Sequence, residues 1–435
     1  MNIETVFTGS FAFAIAAAVL FWALLLVPRV ARDVEAGLAL VLGVFVLDTV
    51  PLEPLSFHAA IHLFPADLLF VVMSFAVAAR AIDGHLRGKV HWVWWLLGLI
   101  QLVDAIRGAA LYGSSAGVDY RASFYVWVGT VYVASFGYSE DLFRRVLRTF
   151  QQMAIVVCAV AVWRWVHVAV DAGYRAQIQA IDPTELSFLR VVPATPMIVL
   201  ALATIGVVYL ALKQQLPGRW RFAPVGFGLV ILLMQHRSVW LATAVGGGVL
   251  VFLMLRHREH KVRRALLRFA GVALIIGLVV FKSGISNAIS SSIETQAAAA
   301  LDTEQGTMVA RLLHWEQLLE DFQDADSVSH VIGLPFGHSF GDQDDVDDDQ
   351  IIENSPHDEY IALLLHGGVL GLLCFLWFAQ AGIRAGVRRM RAGNDPHAPL
   401  LVALAVALLV YYVPYEIQYA HILVWGLLLA LLRAP

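Results

Sequence analysis

Apolar stretches long enough to cross a lipid bilayer recur along the whole chain, and they restrict its fold more than any other feature. A transmembrane helix needs about 20 mostly apolar residues, and in lipid every backbone polar group must be bonded within a helix or a closed barrel. Candidate spans lie near residues 8–28, 35–50, 64–82, 92–112, 121–138, 149–170, 190–213, 222–236, 237–256, 265–282, 358–381, 397–413 and 418–433. The sequence therefore predicts an all-α polytopic membrane bundle of 12 or 13 transmembrane helices, forming a single integral membrane domain over residues 1–435.

The composition excludes an ordinary soluble domain. Of the 435 residues, 59% are hydrophobic and 15% are charged, whereas soluble domains have roughly 45–50% apolar and about 25% charged residues. The chain has no basic stripe outside its short loops and no zinc-ligand spacing, so we expect no nucleic-acid partner. Cys158 and Cys374 both fall inside apolar runs, which argues against a structural disulfide. No basic residue precedes the first apolar run, so we expect no cleaved signal peptide.

Lysine and arginine alternate between the two sides of the predicted bundle. They gather in every second connection, as Arg29 and Arg32; Arg80, Arg87 and Lys89; Arg144, Arg145 and Arg148; Lys213, Arg219 and Arg221; Arg256 through Arg268; Arg384 through Arg391; and Arg433. Because cytoplasmic loops are enriched in Lys and Arg, the pattern predicts an odd span count with the N-terminus outside and the C-terminus inside. If one short span is only half-inserted, the N-terminus lies inside. The long polar segment 283–357 is outside in both cases.

Segment 283–357 is the one long polar interval of the chain. It contains fifteen acidic residues and a single base, Arg311. Within it, residues 305–323 have apolar positions at helical spacing, which predicts an amphipathic helix on the membrane surface or over the bundle. We therefore expect one large loop on the outer side that carries short helices and is too polar to form a core of its own.

The acidic run from Asp342 to Glu353 resembles a calcium-binding loop only in outline. Read as an EF-hand, it places Glu353 at position 12 but Val346 and Asp347 at positions 5 and 6, where an oxygen ligand and a glycine are required. We expect a solvated loop without a metal site, with loose binding of divalent ions as the alternative.

Several arginines fall on the outer side against the general bias, and each needs a reason. A guanidinium at membrane depth is costly and usually faces a cavity or a partner, and arginine binds phosphate oxygens through paired hydrogen bonds. The outer arginines are Arg107, Arg121, Arg164, Arg190, Arg237 and, in the loop, Arg311. A site for an anionic lipid headgroup, above all a pyrophosphate, would need such a set. The alternatives are snorkelling of Arg237 to lipid headgroups and an Arg107–Asp104 ion pair. Arg311 has Glu316 nearby as an alternative partner.

His357 stands where the loop becomes the next helix. Histidine titrates near neutral pH and can act as a general base or a proton relay, and Tyr360 lies on the same helical face. The carboxylates of Asp358 and Glu359 suit the first turn of a helix, so the motif serves equally well as a helix cap or as a catalytic group. His338, within the loop, is a weaker candidate.

Four segments occur in an order and spacing that match a known pattern. They are Gln235-His236-Arg237-Ser238-Val239-Trp240, Arg311 with Trp315, Gly333-Leu334-Pro335-Phe336-Gly337, and Pro356-His357-Asp358-Glu359-Tyr360 through Gly371, with a fainter match at Arg190 through Pro196. In this combination the chain resembles the O-antigen ligase and polymerase superfamily of bacterial multi-pass glycosyltransferases. The likeness covers residues 190–380. Asp358 departs from the family pattern, which usually has Asn after the histidine, and an Asp there would raise the basicity of His357 or compete for the phosphate site.

The resemblance implies a metal-independent, inverting glycosyltransferase without a cofactor. It would move a glycan from undecaprenyl pyrophosphate to an acceptor hydroxyl in O-antigen, lipopolysaccharide or exopolysaccharide assembly, on the periplasmic side of the bacterial inner membrane. His357 would orient or deprotonate the acceptor hydroxyl, and Arg237 and Arg311 would bind the pyrophosphate and stabilise the leaving group. The candidate substrate-binding residues are Arg107, Arg121, Arg190, His338 and Tyr360.

Several functional alternatives stay open. A ligase would use lipid A–core as the acceptor, whereas a polymerase would use a second lipid-linked repeat unit, and a thirteen-span count slightly favours the polymerase. A transporter of lipid-linked oligosaccharide would also need outer arginines, but transporters more often show midplane charges and two halves of similar pattern. A non-catalytic membrane scaffold is disfavoured because it has no use for a row of outer arginines.

Overall fold

A computed structural model describes residues 25–51, 57–58, 62–174, 176, 190–216, 218–220, 222–256, 307–338 and 356–434. Its α-helices are α1 Val34–Thr49, α2 Pro65–Ile82, α3 Trp92–Tyr112, α4 Ser114–Ser135, α5 Glu140–Val170, α6 Ala194–Leu212, α7 Ala223–Met234, α8 Arg237–Arg256, α9 Thr307–Gln323, α10 Ser327–Ile332, α11 Glu359–Arg391, α12 Ala398–Tyr411 and α13 Ile422–Arg433. Single 3-10 turns lie at Gly218–Trp220 and Tyr419–His421, and two-residue strands β1 Phe57–His58 and β2 His62–Leu63 pair antiparallel. Apart from this short pair, the predicted all-α bundle is confirmed.

Every predicted span within the described residues corresponds to a helix. Among these residues, six helices are long and apolar enough to cross a membrane: α2, α3, α5, α6, α8 and α11. Shorter apolar helices are α7, α12 and α13, the last with its preceding 3-10 turn. The predicted span at 265–282, most of that at 8–28 and the acidic run 342–353 lie outside the described residues, so the total span count stays a prediction.

Three helices extend well beyond the apolar stretches that predicted them. α4 begins at Ser114 and not near residue 121. α5 begins at Glu140 and not near residue 149, and α11 continues to Arg391 and not only to residue 381. Hydropathy marks the part of a helix that meets lipid, whereas the polar first turns of α5 are stabilised along the helix by the pairs Arg144–Glu140 and Arg145–Asp141.

The centre of the bundle is formed by α6, α12 and α13, which are apolar on nearly all sides and largely buried. A helix that is apolar all round belongs in an interior. α8 packs closely on α12 because Gly246 has no side chain: a Cβ atom there would lie 2.7 Å from Cβ of Ala407 and 3.0 Å from the carbonyl oxygen of Ala403. Small residues allow membrane helices to approach in this way.

The two ends of the bundle differ in their contacts. One end, here called the basic end, contains Arg80, Arg144 and Arg145. There Arg80 donates to the carbonyl oxygens of Ala31 and Ser135, at 2.5 and 2.9 Å, and Arg145 pairs with Glu35 at 2.9 Å. The opposite end, here called the loop end, comprises α9, α10, the beginnings of α6, α8 and α11, and the end of α12. Arginines predicted to share one side of the membrane therefore meet at one end of the fold.

Candidate functional site

His357 lies in the turn that leads into α11, and its backbone is in the left-handed region with a φ of 48°. On one side of it, Nε1 of the Trp315 indole donates a 2.7 Å hydrogen bond to the carbonyl oxygen of Pro356. The N–H of His357 itself donates to Oε1 of Glu416 at 3.2 Å. The side chain of His357 is exposed at the loop end, so a firmly held turn presents an accessible imidazole.

Asp358 is the N-cap of α11. Its Oδ1 accepts hydrogen bonds from the N–H groups of Tyr360 and Ile361, at 2.8 and 2.9 Å. This buried carboxylate is engaged by the helix N-terminus, so the influence of Asp358 on the basicity of His357 stays a prediction that these contacts do not favour. The pKa of His357 is lowered, not raised. The capping role foreseen for the motif therefore belongs to Asp358 and not to His357.

Arg311 reaches the same place from α9. Its Nη1 donates to the carbonyl oxygen of Pro414 at 3.3 Å, and its guanidinium carbon lies 5.3 Å from the ring centre of Tyr415, instead of pairing with an acid on its own helix. Although the His357 side chain is accessible to solvent, the surrounding protein partly desolvates its imidazole and lowers the pKa, and the charges of Arg311 and His314 lower it further. A histidine with a lowered pKa is neutral near pH 7, which is the form that accepts a proton.

His314 is a site residue that the sequence reasoning missed. It follows Arg311 by three positions on α9, so both lie on one helical face, and its charge acts on His357. Its Nε2 atom is buried and has no hydrogen-bond partner among the residues that the structure describes. The signal that could have found it is this spacing from the loop arginine, directly before Trp315.

Arg190 and Arg237 form a second basic cluster at the loop end, besides the one that Arg311 and His314 form on α9. The tight turn before α8 contains Gln235, whose φ of 55° is left-handed, and Nη2 of Arg190 donates to the carbonyl oxygen of Gln235 at 3.3 Å. His236 bonds through Nε2 to the carbonyl oxygen of Val192 at 2.8 Å, so the two connections hold each other. The guanidinium groups of Arg190 and Arg237 are close enough to repel each other, and neighbouring like charges attract a counter-ion.

The two basic clusters lie at the same level of the bundle. α8 begins at the loop end and α12 ends there, so the helices run antiparallel. Their close contact at Gly246 fixes the register, and at 1.5 Å of rise per residue it brings Arg237 level with the turn that follows α12. That turn contains Pro414, which accepts the hydrogen bond from Arg311.

Arg164 is buried and holds backbone segments together. Its Nη2 donates to the carbonyl oxygens of Thr49 and Pro51, at 3.0 and 2.6 Å, and its Nη1 donates to that of Val191 at 2.7 Å. The guanidinium thus caps the C-terminal end of α1, where carbonyl groups favour a cation. The same residue also fixes the segment that precedes α6.

Arg107 anchors the glycine-rich turn to the bundle. Its Nη1 bonds to Oδ1 of Asp104 at 2.6 Å and to the carbonyl oxygen of Gly333 at 2.8 Å, and its Nη2 donates to Oγ of Ser329 at 3.1 Å. The ion pair with Asp104, one of the two interpretations of this arginine, is therefore present. Substrate binding by Arg107 stays a prediction that its protein contacts do not favour.

α11 is interrupted at Gly368, whose φ of 61° and ψ of −171° are not helical. The glycine-rich turn docks against this break, where the N–H of Leu334 donates to the carbonyl oxygen of Leu365 at 2.5 Å. A Cβ atom at Gly333 would lie 2.6 Å from the backbone of α11, and one at Gly368 would lie 2.3 Å from the carbonyl group of Val331. The glycines of both motifs thus allow the loop to close onto the helix.

The other predicted substrate-binding residues have partners in the protein. Nδ1 of His338 lies 3.1 Å from the hydroxyl of Tyr112, and burial lowers the pKa of this histidine. Nε of Arg121 lies 3.1 Å from Oδ1 of Asp67. The Tyr360 hydroxyl donates to a carbonyl oxygen near the end of α12 at 2.7 Å. Substrate binding by these residues stays a prediction.

Residues 222–376 match the protein family described as O-antigen ligase. This segment contains Arg237, Arg311 and His357, whereas Arg190 precedes it and α12 follows it. No curated protein gives a significant match to the chain. The match supports a glycosyltransferase-like membrane enzyme of polysaccharide assembly, and it agrees with the resemblance to O-antigen ligases and polymerases that the motifs indicate.

Proposed function

We propose that the chain transfers a glycan from undecaprenyl pyrophosphate to an acceptor hydroxyl at the loop end, on the periplasmic side of the bacterial inner membrane. The observation that carries the proposal is the approach of Arg311 to His357, which joins a permanent cation to an exposed imidazole of lowered pKa. The match of residues 222–376 to O-antigen ligases supports it. The arginines gathered at the basic end support a periplasmic location of the loop end, because Lys and Arg are enriched on the cytoplasmic side of membrane proteins.

The pyrophosphate of the donor is bound by arginines from two connections. Arg237, with Arg190 beside it, and Arg311 lie at one level of the bundle. Each can form paired hydrogen bonds to phosphate oxygens. Removing one preorganised donor of this kind costs about 2.7–4 kcal/mol of transition-state stabilisation. The apolar helices hold the polyprenyl tail in a lateral groove.

The transfer needs a proton acceptor and a stabilised leaving group. His357 accepts the proton of the acceptor hydroxyl, whose oxygen forms a bond to the anomeric carbon of the donor sugar. The bond between that carbon and the pyrophosphate oxygen breaks, and its electron pair leaves with undecaprenyl pyrophosphate, where Arg237 and Arg311 stabilise the charge. Attack opposite the leaving group inverts the anomeric centre. The base contributes roughly 10²–10⁴-fold to the rate, and the arginines supply the positive charge without a metal ion.

Glycan transfer by the purified protein in nanodiscs, with EDTA present, tests this proposal. Lipid-linked repeat units are supplied with and without lipid A–core, and binding of the lipid-linked donor is measured in the same preparations. Product that forms only with lipid A–core identifies a ligase, whereas longer chains from the donor alone identify a polymerase. Arg237→Ala is expected to lower kcat/KM by about 10²–10³-fold. Arg144→Ala is the matched control, because Arg144 is exposed at the basic end.

Two outcomes would contradict the proposal. If the wild-type protein binds the lipid-linked donor but forms no product with either acceptor, movement of lipid-linked oligosaccharide without reaction becomes the better account. If EDTA abolishes transfer and added Mg²⁺ restores it, the metal-independent scheme is wrong.

A further inference from the structure

The turn before α11 and the turn after α12 are joined by three hydrogen bonds to backbone groups. The N–H of His357 donates to Oε1 of Glu416 at 3.2 Å, and the N–H of Glu359 donates to the carbonyl oxygen of Tyr412 at 3.0 Å. In the opposite direction, the N–H of Ile417 donates to Oε2 of Glu359 at 2.7 Å. Each turn therefore contributes one carboxylate that holds the backbone of the other.

The bond to Glu416 acts on a residue in a strained conformation. A residue other than glycine with a positive φ, here 48° at His357, is energetically unfavourable and persists where its surroundings impose it. Trp315 fixes the carbonyl oxygen of Pro356, and Glu416 engages the N–H of His357 itself.

We infer that Glu416 is a positioning residue for glycan transfer, which fixes the left-handed backbone of His357 and thereby the direction of its imidazole. The inference rests on the proposed function and deepens it. Glu416 lies outside the segment that matches O-antigen ligases, which ends at residue 376, so the site is completed by the turn after α12. Direction matters because a misplacement of about 1 Å can cost roughly 10²-fold in rate.

Three substitutions of Glu416 distinguish the effect of its hydrogen bond on transfer from the effect of its charge and from a loss of folding. Glu416→Gln keeps an acceptor oxygen at the same reach, Glu416→Asp withdraws the carboxylate by one methylene group, and Glu416→Ala removes it. Glu316→Ala is the matched control, because Glu316 is exposed on α9. For each full-length protein in nanodiscs, kcat, the KM for the lipid-linked donor and the melting temperature are measured.

Glu416→Asp and Glu416→Ala are expected to lower kcat by about 10- to 100-fold. The donor KM should change by less than about threefold, because the arginines that bind the donor are untouched. Glu416→Gln and Glu316→Ala should keep kcat within about threefold of the wild type. In a His357→Ala background, Glu416→Ala should cause no further loss of kcat. A residue that acts only by positioning His357 has no effect once the imidazole is absent.

The inference is overturned if Glu416→Asp retains the wild-type kcat, and this variant decides the matter even where Glu416→Ala does not fold. It is also overturned if Glu416→Ala costs a further tenfold (about 1.4 kcal/mol) in the His357→Ala background. An active wild-type protein with an unaffected Glu416→Asp variant contradicts the inference alone. A wild-type protein without transfer activity contradicts the proposed function, and the inference with it.

Discussion

The indole Nε1 of Trp315 donates a 2.7 Å hydrogen bond to the carbonyl oxygen of Pro356, and this buried bond ties α9 to the turn that carries His357. Arg311 lies one helical turn before Trp315, so the same bond sets the position of its guanidinium relative to the imidazole. A buried hydrogen bond is costly to leave unmade. The loop arginine and the histidine, which are distant in sequence, are therefore held as one unit.

This arrangement predicts the pH dependence of transfer. Partial desolvation and the charges of Arg311 and His314 place the pKa of His357 below its ordinary value of 6.5. Because the neutral imidazole is the active form, kcat/KM should rise with pH to a plateau, with a midpoint below 6.5. In Arg311→Gln, loss of the positive charge lets the pKa rise, so the midpoint should move to higher pH while the plateau falls.

The control for this profile is Arg144→Gln. Arg144 is exposed at the basic end, so its replacement should leave the midpoint unchanged. A wild-type midpoint above 6.5 would contradict the assignment of the rise in kcat/KM to deprotonation of His357. So would an Arg311→Gln midpoint that stays in place or moves to lower pH.

Arg107 should matter for stability, because its removal leaves the buried Asp104 carboxylate and the Gly333 carbonyl group without their donor. Arg107→Ala is expected to lower the free energy of unfolding by about 1.5–3 kcal/mol. Arg144→Ala breaks the solvent-exposed pair with Glu140 and should leave the melting temperature nearly unchanged. Melting temperatures in detergent compare the two variants, and equal losses would argue that the Arg107 contacts do not anchor the turn.

Gly367 and Gly368 are adjacent, yet alanine should have opposite effects at the two positions. At Gly368 the φ is 61° and a Cβ atom would lie 2.3 Å from the backbone of Val331, so Gly368→Ala adds strain of roughly 1–3 kcal/mol and displaces α10. At Gly367 no atom lies within 4 Å of an added Cβ, and Gly367→Ala should be neutral or stabilise α11 by about 0.5–1 kcal/mol. Thermal melting and limited proteolysis near α10 measure both, and an unaffected Gly368→Ala variant would contradict the docking described.

Helix positions could be predicted from the sequence because apolar length and composition are local properties. Boundaries were less accurate at Glu140 and Arg391, where the helices continue beyond the part that meets lipid. His357 and Arg311 were found because each lies in a short recognisable motif. Arg107 remained ambiguous, because an arginine near Asp104 has the same local sequence whether it forms an ion pair or binds a substrate.

The partners of His357 could not be predicted in the same way. Glu416 meets the histidine only because the turn after α12 folds against the turn before α11, and nothing near Glu416 in sequence indicates that contact. Likewise, the spacing alone could not decide whether Asp358 would act on the imidazole or cap the helix, since the N-cap depends on where α11 begins. Local patterns identified the candidates, and tertiary contacts decided their roles.

The proposed mechanism requires that His357 accept the proton of the acceptor hydroxyl. Single-turnover transfer by His357→Ala, with donor and acceptor both saturating, tests this step, and His85→Ala, at an exposed histidine of the basic end, is the control. The rate should fall by about 10²–10⁴-fold, while the Kd for the lipid-linked donor stays within about threefold of the wild type. A folded His357→Ala protein that transfers glycan within about tenfold of the wild-type rate would show that His357 is not the base.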